Sequence, residues 1–159
     1  MDLGLRRAAA VITGGSAGLG LAVARALTAE GVAVGLIARN EARLAKAAET
    51  IRAAVPDAAI VVAPADVSES AQLSAAVEAI VSQLGGLQLV VANAGGTIGG
   101  DLLTGTPADY AATFALNAGH AAALVRAAHP YLAASNDSSV VIVSSVTGVR
   151  PGPSSSYCR

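Results

Sequence analysis

Between positions 13 and 20 the chain reads Thr13-Gly14-Gly15-Ser16-Ala17-Gly18-Leu19-Gly20, four glycines in eight residues. An apolar run, Ala8–Thr13, leads into this segment, and a helical pattern leaves it. Glycines let a backbone turn tightly and let a ligand come close to it. The first turn of a helix adds unpaired N–H groups at its positive end. These are the means of cradling a pyrophosphate. The pattern alone is a weak signal, and its setting between a strand and a helix makes it informative. The plainer reading is a glycine-rich turn with no ligand.

The elements that must hold such a loop follow from the apolar patterning. Apolar, β-branched runs fall at Ala8–Thr13, Val32–Ala38, Ala59–Ala63, Leu87–Ala92 and Val140–Ser145. Helix-like segments lie between them, near Gly18–Glu30, Glu41–Ala54, Ser68–Leu84 and Pro107–Ala134. Strands that are apolar throughout, alternating with helices, predict βαβ units around a parallel sheet buried on both faces. Ser68 and Thr106 read as helix N-caps, with Pro107 at the first helical position. Gly31 and Gly85-Gly86 read as helix stops. The fold class is α/β, a Rossmann-like doubly wound parallel sheet.

Composition narrows the partners. The chain of 159 residues is one domain's length, with 53% hydrophobic and 13% charged residues, a net charge of −1 and a mean hydropathy of +0.59. Phosphate-backbone binding needs clustered Lys and Arg, so nucleic acid is not the expected partner. No stretch approaches the ~20 uninterrupted apolar residues of a membrane span. The single cysteine, Cys158, excludes an intrachain disulfide and fits a reducing, cytoplasmic setting. His120 and His129 stand nine apart with no Cys, Asp or Glu ligand near them, and read as helix-surface residues rather than metal ligands.

The glycine spacing is TGxxxGxG, and four further segments follow it in order. They are Ala65-Asp66-Val67, Ala92-Asn93-Ala94-Gly95, Asn117 within Phe114-Ala115-Leu116-Asn117, and Ser144-Ser145-Val146-Thr147-Gly148 with Tyr157 beyond. In these motifs the chain resembles the short-chain dehydrogenase/reductase family over essentially its whole length. The resemblance implies strand order 3-2-1-4-5, an NAD(P) cofactor, and hydride transfer between nicotinamide and a small-molecule carbonyl or alcohol.

By this resemblance Gly14, Gly18 and Gly20 shape the pyrophosphate loop, with Ser16 and Leu19 lining it. Asp66 accepts from the adenine amino group, with the Val67 backbone beside it. Asn93, Ala94 and Gly95 close over the ribose. Two of these residues have a second reading, Asp66 as a turn or cap residue before Ser68 and Asn93 as a tie between strands. The second strand ends Leu36-Ile37-Ala38-Arg39-Asn40, with Ala38 where an NAD-selective site wants a carboxylate for the ribose hydroxyls. The Arg39 guanidinium suits a 2′-phosphate, so NADP is expected over NAD. The alternative is a solvated arginine entering a surface helix, with Arg43 at the i+4 position.

A carbonyl reduced by hydride needs a proton and a group to hold its oxygen. The resemblance assigns the proton to Tyr157, the orienting hydroxyl to Ser145, and a relay water to Asn117. Spacing to Tyr157 favours Ser144, thirteen positions upstream, whereas the Ser-x-x-Gly element of Ser145 and Gly148 favours Ser145. We take Ser145.

The family's Tyr-x-x-x-Lys motif would place a lysine at position 161, beyond Arg159, and the chain's one lysine is Lys46. The expectation is therefore the N-terminal portion of an enzyme, lacking its C-terminal strands and inactive on its own. The complete protein is expected to be a homo-oligomer. Two rival readings are a non-catalytic dinucleotide-binding module and an inactive structural fragment.

Overall fold

Strand β1, Ala9–Thr13, is buried at every residue. A strand can be apolar on both sides only where helices cover both faces of its sheet. The computed structural model describes residues 4–100 and 103–146. After β1 come α1 (Gly18–Ala29), β2 (Ala33–Ala38), α2 (Glu41–Ala54), β3 (Ile60–Pro64), α3 (Ser70–Leu84) and β4 (Leu89–Ala92). Helix α4 (Pro107–Phe114), a π-helical turn (Ala115–Gly119), α5 (His120–Ala133) and β5 (Ser139–Ile142) complete the described order. The sheet order is β3-β2-β1-β4-β5 and every pairing is parallel. The Rossmann-like α/β expectation and the strand order both hold.

Register follows from which neighbours face which core. Val11, Ile37 and Val90 face α3 and α5, packing with Leu73, Val77, Ile80 and Leu124. Ala10, Ile12, Val34 and Leu36 face the other way, against Ala24 of α1 and Leu44, Ala47 and Ile51 of α2. Burying one such Leu or Ile contributes about 1.5–3 kcal/mol, and a one-residue slip would exchange the two sets. Gly35, in the middle of β2, lets α3 lie close, because a Cβ there would run into Ile80.

Local signals hold at most ends. Thr106 caps α4 in a reciprocal capping box with Asp109, and Pro107 fills the first turn. Gly31 (φ +82°) and Gly85 (φ +79°) take the left-handed conformation that ends α1 and α3. Two expectations are corrected. Ser68 is not the cap of α3, which starts at Ser70 with Glu69 preceding it and no side-chain cap bond. Ser68 is held instead in a turn by Asp66. The helix expected to run unbroken over Pro107–Ala134 is interrupted by the π turn, which contains Asn117.

Among the described residues, no helix is long and apolar enough to cross a membrane.

Candidate functional site

In a doubly wound sheet the ligand crevice opens beyond the C-terminal ends of the strands, where the strand order reverses. Here that point lies between β1 and β4. The first ends at Thr13-Gly14 and the second at Ala92-Asn93, so the glycine loop and the Asn93–Gly95 segment face each other across it.

Two constraints hold the loop. Gly14 donates its N–H to the Ile37 carbonyl at 2.8 Å and has φ +68°. A Cβ on Gly14 would lie 2.8 Å from Asn93 Nδ2, and one on Gly20 would strike the Gly14 carbonyl. Gly18 differs: it has open space around it, and φ +54° alone favours glycine there. Helix α1 then begins with no side-chain cap and no acidic residue in its first turn. Its N–H groups and positive end are left to an anion. Ser16 is half-buried at the loop, while Leu19 is 56% exposed on the first turn.

Behind the loop lies a buried polar network that the sequence reading did not find. Thr13 Oγ1 accepts the N–H groups of Asn93 (3.0 Å) and Ala94 (3.2 Å). The Asn93 side-chain amide donates back to the Thr13 carbonyl at 3.1 Å. On its far side Thr13 Oγ1 lies 3.3 Å from His120 Nε2, and His120 Nδ1 lies 2.5 Å from the Leu116 carbonyl. A carbonyl only accepts, so Nδ1 carries the imidazole proton and Nε2 accepts from Thr13. Burial pushes the His120 pKa below its ordinary value, against the opposing pull of the Leu116 carbonyl, and so favours this neutral form. His120 is 2% exposed, which corrects its reading as a helix-surface residue. The signal was its spacing, since His120, Leu124 and Ala128 form one i, i+4, i+8 stripe and all are buried.

Asn117 is committed to the opposite wall. Its Oδ1 accepts the Gly96 N–H at 3.0 Å, and its Nδ2 donates to the Gly96 and Thr113 carbonyls at 2.7 and 2.8 Å. Gly95 makes room for this grip, because a Cβ there would lie 2.7 Å from Asn117 Oδ1.

Beyond β3, Asp66 Oδ1 accepts both the hydroxyl (2.6 Å) and the N–H (3.0 Å) of Ser68. Those bonds, with the nearby Arg39 charge a lesser cause, hold its carboxyl below the usual value. The turn role of Asp66 is thus present, and its Oδ2 stays available to a donor. Val67 is buried directly after it. At the tip of β2, Asn40 caps α2 by accepting the Arg43 N–H at 2.8 Å, while Arg39 is exposed.

Beyond β5 the Val143 N–H donates to the Ala92 carbonyl at 2.9 Å. Continuing the register of Ile142 opposite Ala92, Ser144 and Ser145, both exposed, leave the sheet level with Ala94 and Gly95. Tyr157 lies outside the described residues.

A family model for short chain dehydrogenases matches residues 8–158. The chain belongs to the short-chain dehydrogenase/reductase family. Among curated relatives it is similar to a putative ketoacyl reductase of granaticin polyketide synthase from Streptomyces violaceoruber, with 41% identity over 92% of this chain and 58% of the relative. It is also similar to 4-formylbenzenesulfonate dehydrogenase of Comamonas testosteroni, with 36% identity over 95% of this chain and 60% of the relative. Its fold matches L-sorbose reductase from Gluconobacter frateurii, solved with NADPH and L-sorbose, at TM-score 0.92 and 28% identity, covering 99% of this chain and 60% of that one. A short-chain dehydrogenase/reductase from Burkholderia phymatum in complex with NAD matches at TM-score 0.86 and 32% identity, covering 94% of this chain and 53% of that one. The chain thus spans less than two thirds of the length of these relatives. Short-chain dehydrogenase/reductases similar to it bind either nicotinamide dinucleotide.

The residues present fit such a cofactor. The uncapped first turn of α1 and the close-packed Gly14 and Gly20, where a Cβ would strike Asn93 or the Gly14 carbonyl, suit a pyrophosphate, and Asp66 and the Arg39 charge near it lie beyond the ends of the adjoining strands β3 and β2.

Proposed function

We propose that this chain is the dinucleotide-binding part of an NADP(H)-dependent oxidoreductase acting on a small-molecule carbonyl or alcohol. The observation that carries the preference is the tip of β2. Ala38 offers no carboxylate to the ribose hydroxyls, and Asn40 is occupied as the cap of α2. That leaves the exposed Arg39 as the side chain suited to a 2′-phosphate. Gly14, Ser16, Gly18, Leu19 and Gly20 take the pyrophosphate, Asp66 and Val67 the adenine, and Asn93, Ala94 and Gly95 the ribose side.

A bound nicotinamide supplies the hydride or accepts it. On this reading the Ser145 hydroxyl holds the substrate oxygen and the Tyr157 hydroxyl gives it a proton. The Asn117 side chain is engaged with Gly96 and Thr113, and on this reading it anchors a relay water beside them. The complete protein works as a homo-oligomer, a reading supported by Tyr110 and Phe114 standing exposed on α4, the latter at 69%.

Fluorescence titration of the full-length protein tests the cofactor assignment. A charged hydrogen bond contributes ~1.5–3 kcal/mol, so NADPH should bind roughly ten- to a hundredfold more tightly than NADH. Arg39→Ala should remove most of that margin and leave NADH binding nearly unchanged. Equal affinity of the unmutated protein for the two would overturn the preference.

A further inference from the structure

The geometry points to His120 as a positioning residue of the dinucleotide site, acting through the Thr13 hydroxyl on the Asn93–Ala94 segment. This inference rests on the dinucleotide reading above. Thr13 Oγ1 has one proton and two lone pairs. Both lone pairs are taken by the Asn93 and Ala94 N–H groups, so the position of the proton decides how well that oxygen can accept. Two acceptors compete for it, His120 Nε2 at 3.3 Å and the Val91 carbonyl at 3.5 Å. With Nδ1–H committed to the Leu116 carbonyl, Nε2 is a bare acceptor in a buried setting, and the threonine proton belongs to it. Thr13 Oγ1 is the partner within reach of Nε2, and among the described residues no buried side-chain nitrogen or oxygen is left without one.

The consequence is one continuous chain of hydrogen bonds. It runs from the Leu116 carbonyl in the π turn through the imidazole and Thr13 to the backbone at the end of β4. His120 is thus the link by which the turn carrying Asn117 and the segment closing over the ribose share one position. Such linked bonds support one another, so losing one member weakens the rest.

The test uses the full-length protein, NADPH titration and thermal unfolding side by side. His120→Leu and Thr13→Val should each weaken NADPH binding about tenfold, and the double variant should be little worse than either alone. His120→Gln, which keeps an acceptor, should recover most of the loss. A residue with only a packing role would lower the melting temperature without changing affinity, or would give losses that multiply, and either result overturns the inference. Should His120→Leu fail to fold, the imidazole 15N spectrum of the unmutated protein decides. The inference requires a protonated Nδ1 and an accepting Nε2 whose signal moves in Thr13→Val, and a protonated Nε2 refutes it. Failure of the unmutated protein to bind any nicotinamide dinucleotide would instead sink the reading beneath it.

Discussion

Asn117 holds Gly96 by both of its backbone polar groups, accepting its N–H at 3.0 Å and donating to its carbonyl at 2.7 Å. A side-chain amide here does the work of a neighbouring strand. It pins a segment beyond β4 that has no strand partner of its own among the described residues. Two or three such bonds at about 1 kcal/mol each predict that Asn117→Ala lowers stability by ~1–3 kcal/mol. Turnover should fall further than NADPH affinity if, as proposed, the segment it holds borders the reacting end of the site. Denaturant unfolding with steady-state kinetics checks both, and an unchanged kcat would contradict the placement.

Gly20 and Gly18 should fail for different reasons. Alanine at 20 would drive a methyl group into the Gly14 carbonyl and the Asn93 amide, distorting the cradle. Overpacking of this kind costs ~1–3 kcal/mol, and we expect NADPH binding to weaken by more than tenfold. Alanine at 18 meets no neighbour and bears only the left-handed backbone, about 1–2 kcal/mol of stability with a smaller loss of affinity. Melting curves and titrations of the two variants should separate them, and the reverse order of affinities would count against the cradle.

His120 should leave a mark on stability against pH. Burial holds its folded pKa below 6.5, while in the unfolded chain it takes up a proton near 6.5. The unfolded state then binds more protons over that interval. Stability should be fully present above pH 6.5, fall as pH drops through 6.5 towards the folded pKa, and level off beneath it. Asp66 and Asp109 act nearer pH 4, since Ser68 and the Thr106 N–H hold their carboxyls below the ordinary value. Urea midpoints between pH 7.5 and 5 should show the decline, and His120→Gln should flatten it. A slope that survives the substitution would assign it elsewhere.

The serine choice is open to direct test in the full-length protein. Ser145→Ala should reduce carbonyl reduction more than Ser144→Ala. Tyr157→Phe should abolish it and leave NADPH binding nearly intact, since only the transferable proton is removed. The opposite order for the serines would move the orienting hydroxyl to Ser144.

Particular residues show what the sequence made legible. Strands buried on both faces, such as Ala9–Thr13, read as unbroken apolar runs, and such runs marked all five strands, although β5 ends at Ile142 rather than Ser145 and is exposed at every residue instead of buried. Thr106 and Pro107 marked the start of α4 because capping is local chemistry. The π turn escaped notice because Ala115–Gly119 carries no proline and its one glycine, Gly119, is tolerated inside a helical pattern, while Asn117's bond to Gly96, about twenty residues earlier, is not written in local sequence. His120 was misread because histidine among alanines looks solvated, and only the i+4 stripe shared with Leu124 and Ala128 places it inside. Ser68 looked like a cap, but Asp66 claimed its hydroxyl first.

Every residue of β1 pairs with β2, Ala10–Ile12 pair with β4 as well, and the whole strand is buried. Amide hydrogens in such a strand exchange with solvent only when the sheet opens as a unit. The glycine loop and Thr13 should therefore hang from the slowest-exchanging of the described strands. Among the described residues β3 and β5 each pair with one strand only, and Asp66 and Ser144-Ser145 follow them, where opening is cheaper. A dinucleotide laid across these ends would slow exchange little at its phosphates and most at its two extremities, where the backbone has freedom left to lose.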